Sequence, residues 1–253
     1  MPLHMLYGIF TVLLGLVFGS FLNVCIYRIP KKEPIVFGRS HCMSCGTTLK
    51  PIDLVPVFSF IFLGGKCRHC KAKISIRYPL VELLNTGLWI SAFYIFGYSF
   101  KTLTAFAFIS GLIVLSFIDI DTKTIPNGLV IYLLVVGALN CIADNSSPLY
   151  GKLIGIFACG LPLLVIALVS RGGMGGGDVK FAFAAGLFLG WQHSLLALFI
   201  AFVTGAVFGL VYMLITKKDG KSPIPFAPFL SLGMVISMFF GDSLIRFYLS
   251  LFS

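Results

Sequence analysis

The chain alternates long apolar segments with short polar connections from one end to the other. Hydropathy predicts eight apolar helices of roughly bilayer length. They cover roughly residues 6–27, 80–97, 102–118, 127–143, 150–169, 179–190, 194–216 and 226–248. The helix over 179–190 is short, so we expect it to be tilted, broken or recessed. The first segment lacks a basic n-region and a small-residue cleavage site, and we interpret it as a retained helix rather than a signal peptide.

Composition agrees with this pattern. Hydrophobic residues make up 58% of the 253 residues, charged residues only 11%, and the mean hydropathy is +1.01. A soluble core of this length cannot bury so much apolar surface. The sequence therefore predicts an all-α polytopic membrane protein with about eight transmembrane helices.

The net charge of +10 is concentrated in one long polar stretch. Residues 28–78 hold ten of the 19 lysines and arginines. Because basic residues collect in short cytoplasmic loops of membrane proteins, we expect this stretch in the cytoplasm. Alternation then places both termini outside and leaves only Lys101, Lys152 and Arg246 outside among the basic residues. Topology accounts for the charge, and we expect no nucleic-acid binding.

Four of the seven cysteines form two CxxC pairs in this stretch, Cys42 with Cys45 and Cys67 with Cys70. Two such pairs, separated by 21 residues, are typical of a zinc ribbon, because four thiolates suit tetrahedral zinc. A reducing cytoplasm argues against disulfides, while redox dithiols and unliganded cysteines stay open as alternatives. Four thiolates leave no open coordination position, so we predict that the zinc is structural. The other cysteines lie in apolar segments and are expected to be packed and inert.

Two acids stand at the edges of apolar helices. Asp119 ends the third predicted helix, and Asp178 opens the sixth, within the glycine-rich run GGMGGGDVK of residues 172–180. An acid at the edge of hydrocarbon is costly, so a functional interpretation is the default. The topology places both at the same depth on the cytoplasmic face. The alternatives are a helix-end acid at Asp119 and a helix cap at Asp178, and we expect Asp121 to be solvated.

Two carboxyl groups a few ångströms apart support aspartic-protease chemistry. Like-charge repulsion and desolvation keep one of them protonated near neutral pH. The ionised group can deprotonate a water while the protonated one donates to a scissile carbonyl. The glycines would let an extended substrate backbone run beside Asp178. The run lacks the GK[ST] ending of a phosphate-binding P-loop.

Five motifs, in order, resemble those of the bacterial prepilin peptidases, also called type IV leader peptidases, of the GxGD class of membrane aspartic proteases. They are GSFLNVCIYRIP at residues 19–30, the paired CxxC motifs, RYPLVELL at 77–84, Asp119 with IPN at 125–127, and GGGDVK at 175–180. The resemblance implies that Asp119 and Asp178 are the catalytic pair.

The resemblance also implies a substrate and a second activity. Family members cleave the short basic leader of type IV prepilins and pseudopilins on the cytoplasmic side, after a glycine and usually before a phenylalanine. Many then methylate the new N-terminal amine with S-adenosylmethionine, an activity that accompanies a large N-terminal cytoplasmic region. The implied division is residues 1–98 for the methyltransferase-associated region and 99–253 for the peptidase, in the bacterial inner membrane. Glu82 is a candidate for the methyl-donor site, or a partner for Arg77 or another loop cation.

Other functions fit parts of the pattern. A peptidase without methyltransferase activity would use the two aspartates alone. A non-enzymatic scaffold of a pilus or secretion system would tolerate the loss of both. A transporter with a zinc-sensing loop would place acids near the bilayer midplane, whereas these acids stand at helix ends.

Overall fold

The computed structural model describes residues 3–144, 148–170, 173–216 and 224–252, most of which are helical. Within these residues the helices are α1 Leu3–Arg28, α2 Phe58–Phe62, α3 Arg77–Phe96, α4 Phe100–Thr122, α5 Asn127–Ala143, α6 Leu149–Val169, α7 Gly176–Leu189, α8 Trp191–Thr216 and α9 Ala227–Ser250. Five residues used in the topology and glycine arguments lie outside the described ranges: Arg171, Gly172, Lys217, Lys218 and Lys221.

The predicted all-helical fold is confirmed, since each of the eight apolar segments forms a helix at its expected position. Among the described residues, six helices are long and apolar enough to cross a bilayer. The other two predicted segments are α5, with 17 residues, and α7, with 14. At about 1.5 Å per residue, α7 rises about 21 Å, less than the roughly 30 Å of a hydrocarbon core. Its shortness fits the prediction of a tilted, broken or recessed segment.

The chain divides into two compact units, Met1–Tyr98 and Ser99–Ser253. The first unit contains α1, α2, α3 and the polar stretch between α1 and α3. The second contains α4 to α9.

In the first unit, α1 and α3 pack closely over small residues. A Cβ atom at Gly19 would lie 2.7 Å from the Cα atom of Glu82, so glycine is required for this approach. Asn23 donates a hydrogen bond from Nδ2 to the backbone oxygen of Tyr78 at 3.1 Å. Close approach and an inter-helix hydrogen bond therefore fix how the end of α1 lies against the start of α3.

In the second unit, α7 occupies the centre. Nine of its 14 residues are buried, and it packs mainly against α5 and α6. The backbones of α6 and α7 meet where Gly155 faces Gly186, because a Cβ atom at either would collide with the other's backbone. The rings of Phe108 in α4 and Phe188 in α7 stack with their centroids 4.0 Å apart. This packing fixes the position of the first turn of α7, where Asp178 lies.

A buried polar cluster joins the end of α5 to the start of α6. Lys152 is 1% exposed, and its ammonium donates to the backbone oxygens of Asn140 at 3.1 Å and Asp144 at 2.6 Å. The Asp144 carboxylate also forms an ion pair with Lys101 at 3.1 Å. A cation therefore caps the last carbonyls of α5, where the helix dipole favours positive charge. Both lysines therefore lie beside the same carboxylate, that of Asp144.

Replacement of Lys152 by methionine is expected to lower the stability of the second unit by about 3 kcal/mol. The substitution leaves the half-buried Asp144 carboxylate and two carbonyl groups without the ammonium that they share. The matched control is Lys101→Met, which removes the more exposed lysine of the same cluster and should cost less than about 1 kcal/mol. Thermal unfolding of the purified variants measures the difference, and equal losses would contradict the capping role of Lys152.

Candidate active site

Asp119 lies in the last turn of α4 and is buried, with 5% of its surface exposed. Its Oδ2 atom accepts a hydrogen bond from the backbone N–H of Ala227 at 3.2 Å. Ala227 is the first residue of α9, so the carboxyl group faces the positive end of that helix dipole. A backbone donor and a helix N-terminus thus stabilise an acid that burial would otherwise disfavour.

Asp178 lies in the first turn of α7 and is half-buried. At this position the helix dipole favours a negative charge, as the capping alternative expects. The Oδ1 atom of Asp178 is buried and has no hydrogen-bond partner among the described residues. An unsatisfied buried oxygen of this kind calls for an explanation, and a reacting water or substrate group would supply the missing partner.

The fold brings Asp119 and Asp178 into electrostatic range of each other, although 58 residues separate them in sequence. Each carboxyl group faces the N-terminal end of a helix, Asp119 that of α9 and Asp178 that of α7. Asp121, by contrast, is exposed. The structure therefore groups the two acids that the sequence singled out as a pair.

The glycines beside Asp178 have distinct surroundings. A Cβ atom at Gly177 would lie 3.0 Å from the Cβ atom of Ile125, in the segment that follows α4. A Cβ atom at Gly176 would meet nothing within 4 Å. Gly177 thus permits close packing of α7 against this segment, whereas the space beside Gly176 is open to an approaching chain.

The two CxxC pairs form similar turns in the first unit. In the first turn, the N–H of Cys42 donates to the oxygen of Thr47 at 2.9 Å. In the second, the N–H of Cys67 donates to the oxygen of Ala72 at 2.9 Å. Each turn therefore spans six residues and contains both cysteines of its pair.

The four cysteine sulfurs come together as the sequence predicts. All four Sγ atoms lie within 4.8 Å of one another, and those of Cys42 and Cys70 are 3.8 Å apart. Zinc–sulfur bonds of about 2.3 Å in tetrahedral geometry place neighbouring sulfurs about 3.8 Å apart. The donor set and its spacing therefore fit zinc, which would be held by Cys42, Cys45, Cys67 and Cys70.

A cavity of about 390 Å³ lies between the cysteine turns, the end of α1 and the start of α3. Glu82 lines it and is only 6% exposed. One carboxylate oxygen of Glu82 accepts a hydrogen bond from the backbone N–H of Val57 at 2.7 Å, and Ser20 also lines the cavity. The sequence offered Glu82 as a partner of Arg77 or another loop cation, and its observed hydrogen-bond donor is instead a backbone N–H of the loop.

Val57 has a backbone conformation that its side chain disfavours. Its φ and ψ angles are 61° and −51°, and the N–H of Phe58 donates to the oxygen of Pro56 at 2.6 Å, which closes a γ-turn. A β-branched residue in this region costs about 1–3 kcal/mol. The strained turn directs the Val57 N–H at Glu82, and no pattern in the sequence indicates it.

A second carboxylate, that of Asp53, also lines the cavity. It pairs with the guanidinium of Arg68, whose NH2 nitrogen lies 2.7 Å from Oδ1. This hydrogen-bonded arginine holds the pKa of the Asp53 carboxyl below its ordinary value, so Asp53 is ionised at neutral pH.

Family models match most of the chain. Residues 13–96 match the bacterial peptidase A24 N-terminal domain, and residues 106–210 match the type IV leader peptidase family. No solved structure matches the chain.

Similar proteins come from several bacteria. The prepilin leader peptidase/N-methyltransferase of Bacillus subtilis is 37% identical, over 94% of this chain and 96% of its own. The proteins of the same name from Pseudomonas aeruginosa and Legionella pneumophila are each 33% identical, over 94% and 98% of this chain and 92% and 94% of their own. The chain therefore belongs to the type IV leader peptidase family.

Proposed function

We propose that this protein is a membrane-embedded aspartic endopeptidase that removes the leader of type IV prepilins and pseudopilins and then methylates the new N-terminus. The observation that carries the proposal is the grouping of Asp119 and Asp178, two acids at helix ends that are distant in sequence. The relatives, which match along almost their whole length, bear a name that states both activities.

Cleavage uses the two carboxyl groups as an acid and a base. The ionised carboxylate takes a proton from a water, whose oxygen then adds to the scissile carbonyl carbon. The protonated carboxyl group donates its proton to the carbonyl oxygen. When the C–N bond breaks, the leaving nitrogen takes up a proton and becomes the new N-terminal amine. The open space beside Gly176 would admit the substrate backbone.

Methylation requires a donor, for which S-adenosylmethionine is the proposed compound. The lone pair of the new amine forms a C–N bond while the donor's C–S bond breaks, the electron pair stays on sulfur and the amine proton leaves to water. We assign this activity to residues 1–98 and the peptidase to residues 99–253. The four-cysteine cluster holds a structural zinc in this account, because a complete set of thiolate ligands has no position for a substrate.

The proposed topology places both termini outside and the aspartates near the cytoplasmic face of the bacterial inner membrane. The concentration of basic residues in residues 28–78 supports it. Two of the three basic residues on the opposite side, Lys101 and Lys152, are paired with Asp144.

The test is a reaction of the purified protein, in lipid vesicles, with a cognate prepilin. Intact-mass measurement should find the leader removed without S-adenosylmethionine, and the trimmed N-terminus methylated when the donor is added. Trimming in both reactions without methylation would support the peptidase activity and rule out the methyltransferase activity. An untouched leader, with a correctly folded enzyme, would favour the scaffold alternative.

A further inference from the structure

The cavity in the first unit is large enough to hold a small molecule. Its volume of about 390 Å³ lies within the range of about 300–1,000 Å³ that is usual for cofactor sites. All of the residues that line it belong to the first unit. They include the aromatic side chains of Tyr27, Phe60 and Tyr78, which offer flat surfaces to a ring. The two aspartates of the proposed peptidase site are not needed for its shape.

The charged groups that line the cavity differ in how many of their contacts are already made within the protein. The guanidinium of Arg28 donates to the backbone oxygens of Pro34, Phe37 and Gly38, at 2.9, 2.9 and 3.3 Å. Arg68 is paired with Asp53. Both arginines are therefore engaged within the protein, and a third cation, Lys73, also lines the cavity. Among the described residues, the Glu82 carboxylate forms no ion pair, and its hydrogen bond comes from the backbone N–H of Val57.

The support of Glu82 is unusual enough to indicate a role. A buried carboxylate is costly unless it is hydrogen-bonded or faces a positive charge. Here one hydrogen bond comes from Val57, which adopts a strained backbone conformation in making it. Strain of this kind is found where a site needs a group in a fixed position. The group held in position here is an acid at the wall of a cavity.

We propose that this cavity is the methyl-donor site and that Glu82 supplies the negative charge that faces the cationic sulfonium of S-adenosylmethionine. The proposal rests on the methyltransferase half of the proposed function. The residues that line the cavity fit this ligand, because they offer aromatic surfaces for its adenine ring and a buried acid for its cationic sulfur.

The cysteine cluster forms part of the same wall. Cys42 and Cys67 both line the cavity, and Cys67 is only 3% exposed. Metal binding would therefore fix the shape of the donor site without taking part in methyl transfer. This gives the structural zinc a specific purpose within the first unit.

The experiment measures binding directly, with the full-length protein in lipid nanodiscs and radiolabelled S-adenosylmethionine. Glu82→Gln removes the charge but keeps an oxygen that can accept the Val57 N–H, so we expect a correctly folded protein. Its affinity for S-adenosylmethionine should fall at least about tenfold, the loss expected for one desolvated charge contact. The matched control is Glu33→Gln, which makes the same change at an exposed residue that does not line the cavity, and its affinity should be unchanged.

S-adenosylhomocysteine, which has a neutral thioether, separates charge from shape. Glu82→Gln should weaken this ligand by less than about threefold. Ultraviolet cross-linking of the labelled donor to the intact protein should mark residues between 20 and 82. Unchanged donor affinity in Glu82→Gln, or a cross-link within residues 99–252, would overturn the proposal.

An absent methyltransferase activity and a wrongly assigned cavity give different experimental results. If the intact protein neither binds the donor nor methylates a trimmed pilin, the methyltransferase activity is absent. The proposal of a donor site is then wrong as well. If the intact protein methylates but Glu82→Gln binds both ligands normally, the activity stands and only the assignment of this cavity is wrong. Competition by a prepilin leader peptide, without donor binding, would assign the cavity to the substrate instead.

Discussion

Asp119→Asn and Asp178→Asn should each slow the removal of a prepilin leader by about a thousandfold. Asparagine has nearly the same shape as aspartate but cannot exchange a proton near neutral pH, so each variant lacks either the acid or the base. Intact-mass time courses with purified enzyme measure the rate. Folding should be preserved, because an asparagine oxygen at residue 119 can still accept the N–H of Ala227.

Asp121→Asn is the matched control for both variants. Asp121 stands two residues after Asp119 but is exposed, and its replacement should leave the rate within about threefold of the unmodified enzyme. All three variants should bind S-adenosylmethionine normally, because the proposed donor site lies in the first unit. A normal cleavage rate in either Asp119→Asn or Asp178→Asn would rule out the proposed chemistry.

Loss of the metal from the cysteine cluster should disrupt the loop of the first unit. Zinc binding to four thiolates contributes on the order of 10 kcal/mol to the folding of small zinc modules. We expect Cys67→Ser to lose the bound zinc, to become sensitive to proteases within residues 38–76, and to lose donor binding by at least about tenfold. Elemental analysis, limited proteolysis and the radioligand assay measure the three effects.

Cys141→Ser provides the control for cysteine replacement. Cys141 lies in α5 and is not part of the cluster. The variant should keep its zinc and its donor affinity. If Cys67→Ser retained full zinc and normal donor binding, the cluster would not be the metal site that the sulfur geometry indicates.

The helices followed from the sequence because each depends on a local pattern. Long apolar runs identify membrane helices regardless of how they pack, and all eight predicted segments are helical. Asp119 and Asp178 could be placed at one face because alternation of the helices fixes which ends lie on the same side. The observed grouping of these acids agrees with that inference.

The features that the sequence did not indicate depend on contacts between distant residues. Val57 is a common β-branched residue, and only the folded loop shows its positive φ angle and its hydrogen bond to Glu82. Lys152 resembled an exception to the positive-inside rule until its burial against Asp144 was seen. In both cases the backbone or an acid from another segment supplies the partner.

The glycines of the glycine-rich stretch have different surroundings, which composition does not predict. Flexibility and a lack of side chains suggested that the whole run could lie along a substrate. In the structure, the described glycines differ: Gly177 is packed against Ile125, and Gly176 faces open space. Sequence alone cannot separate these roles, because both residues are glycine in the same turn of a helix.

The central claim is that Asp119 and Asp178 act as one catalytic unit, and the cleavage rate of the double variant Asp119→Asn/Asp178→Asn tests it most directly. Groups that act together are non-additive, since loss of either already disables the unit. We expect the double variant to cleave a prepilin at about the same residual rate as each single variant, about a thousandfold below the unmodified enzyme. Losses that multiply, giving a rate about a millionfold lower, would mean that the two aspartates contribute independently and would contradict the paired mechanism.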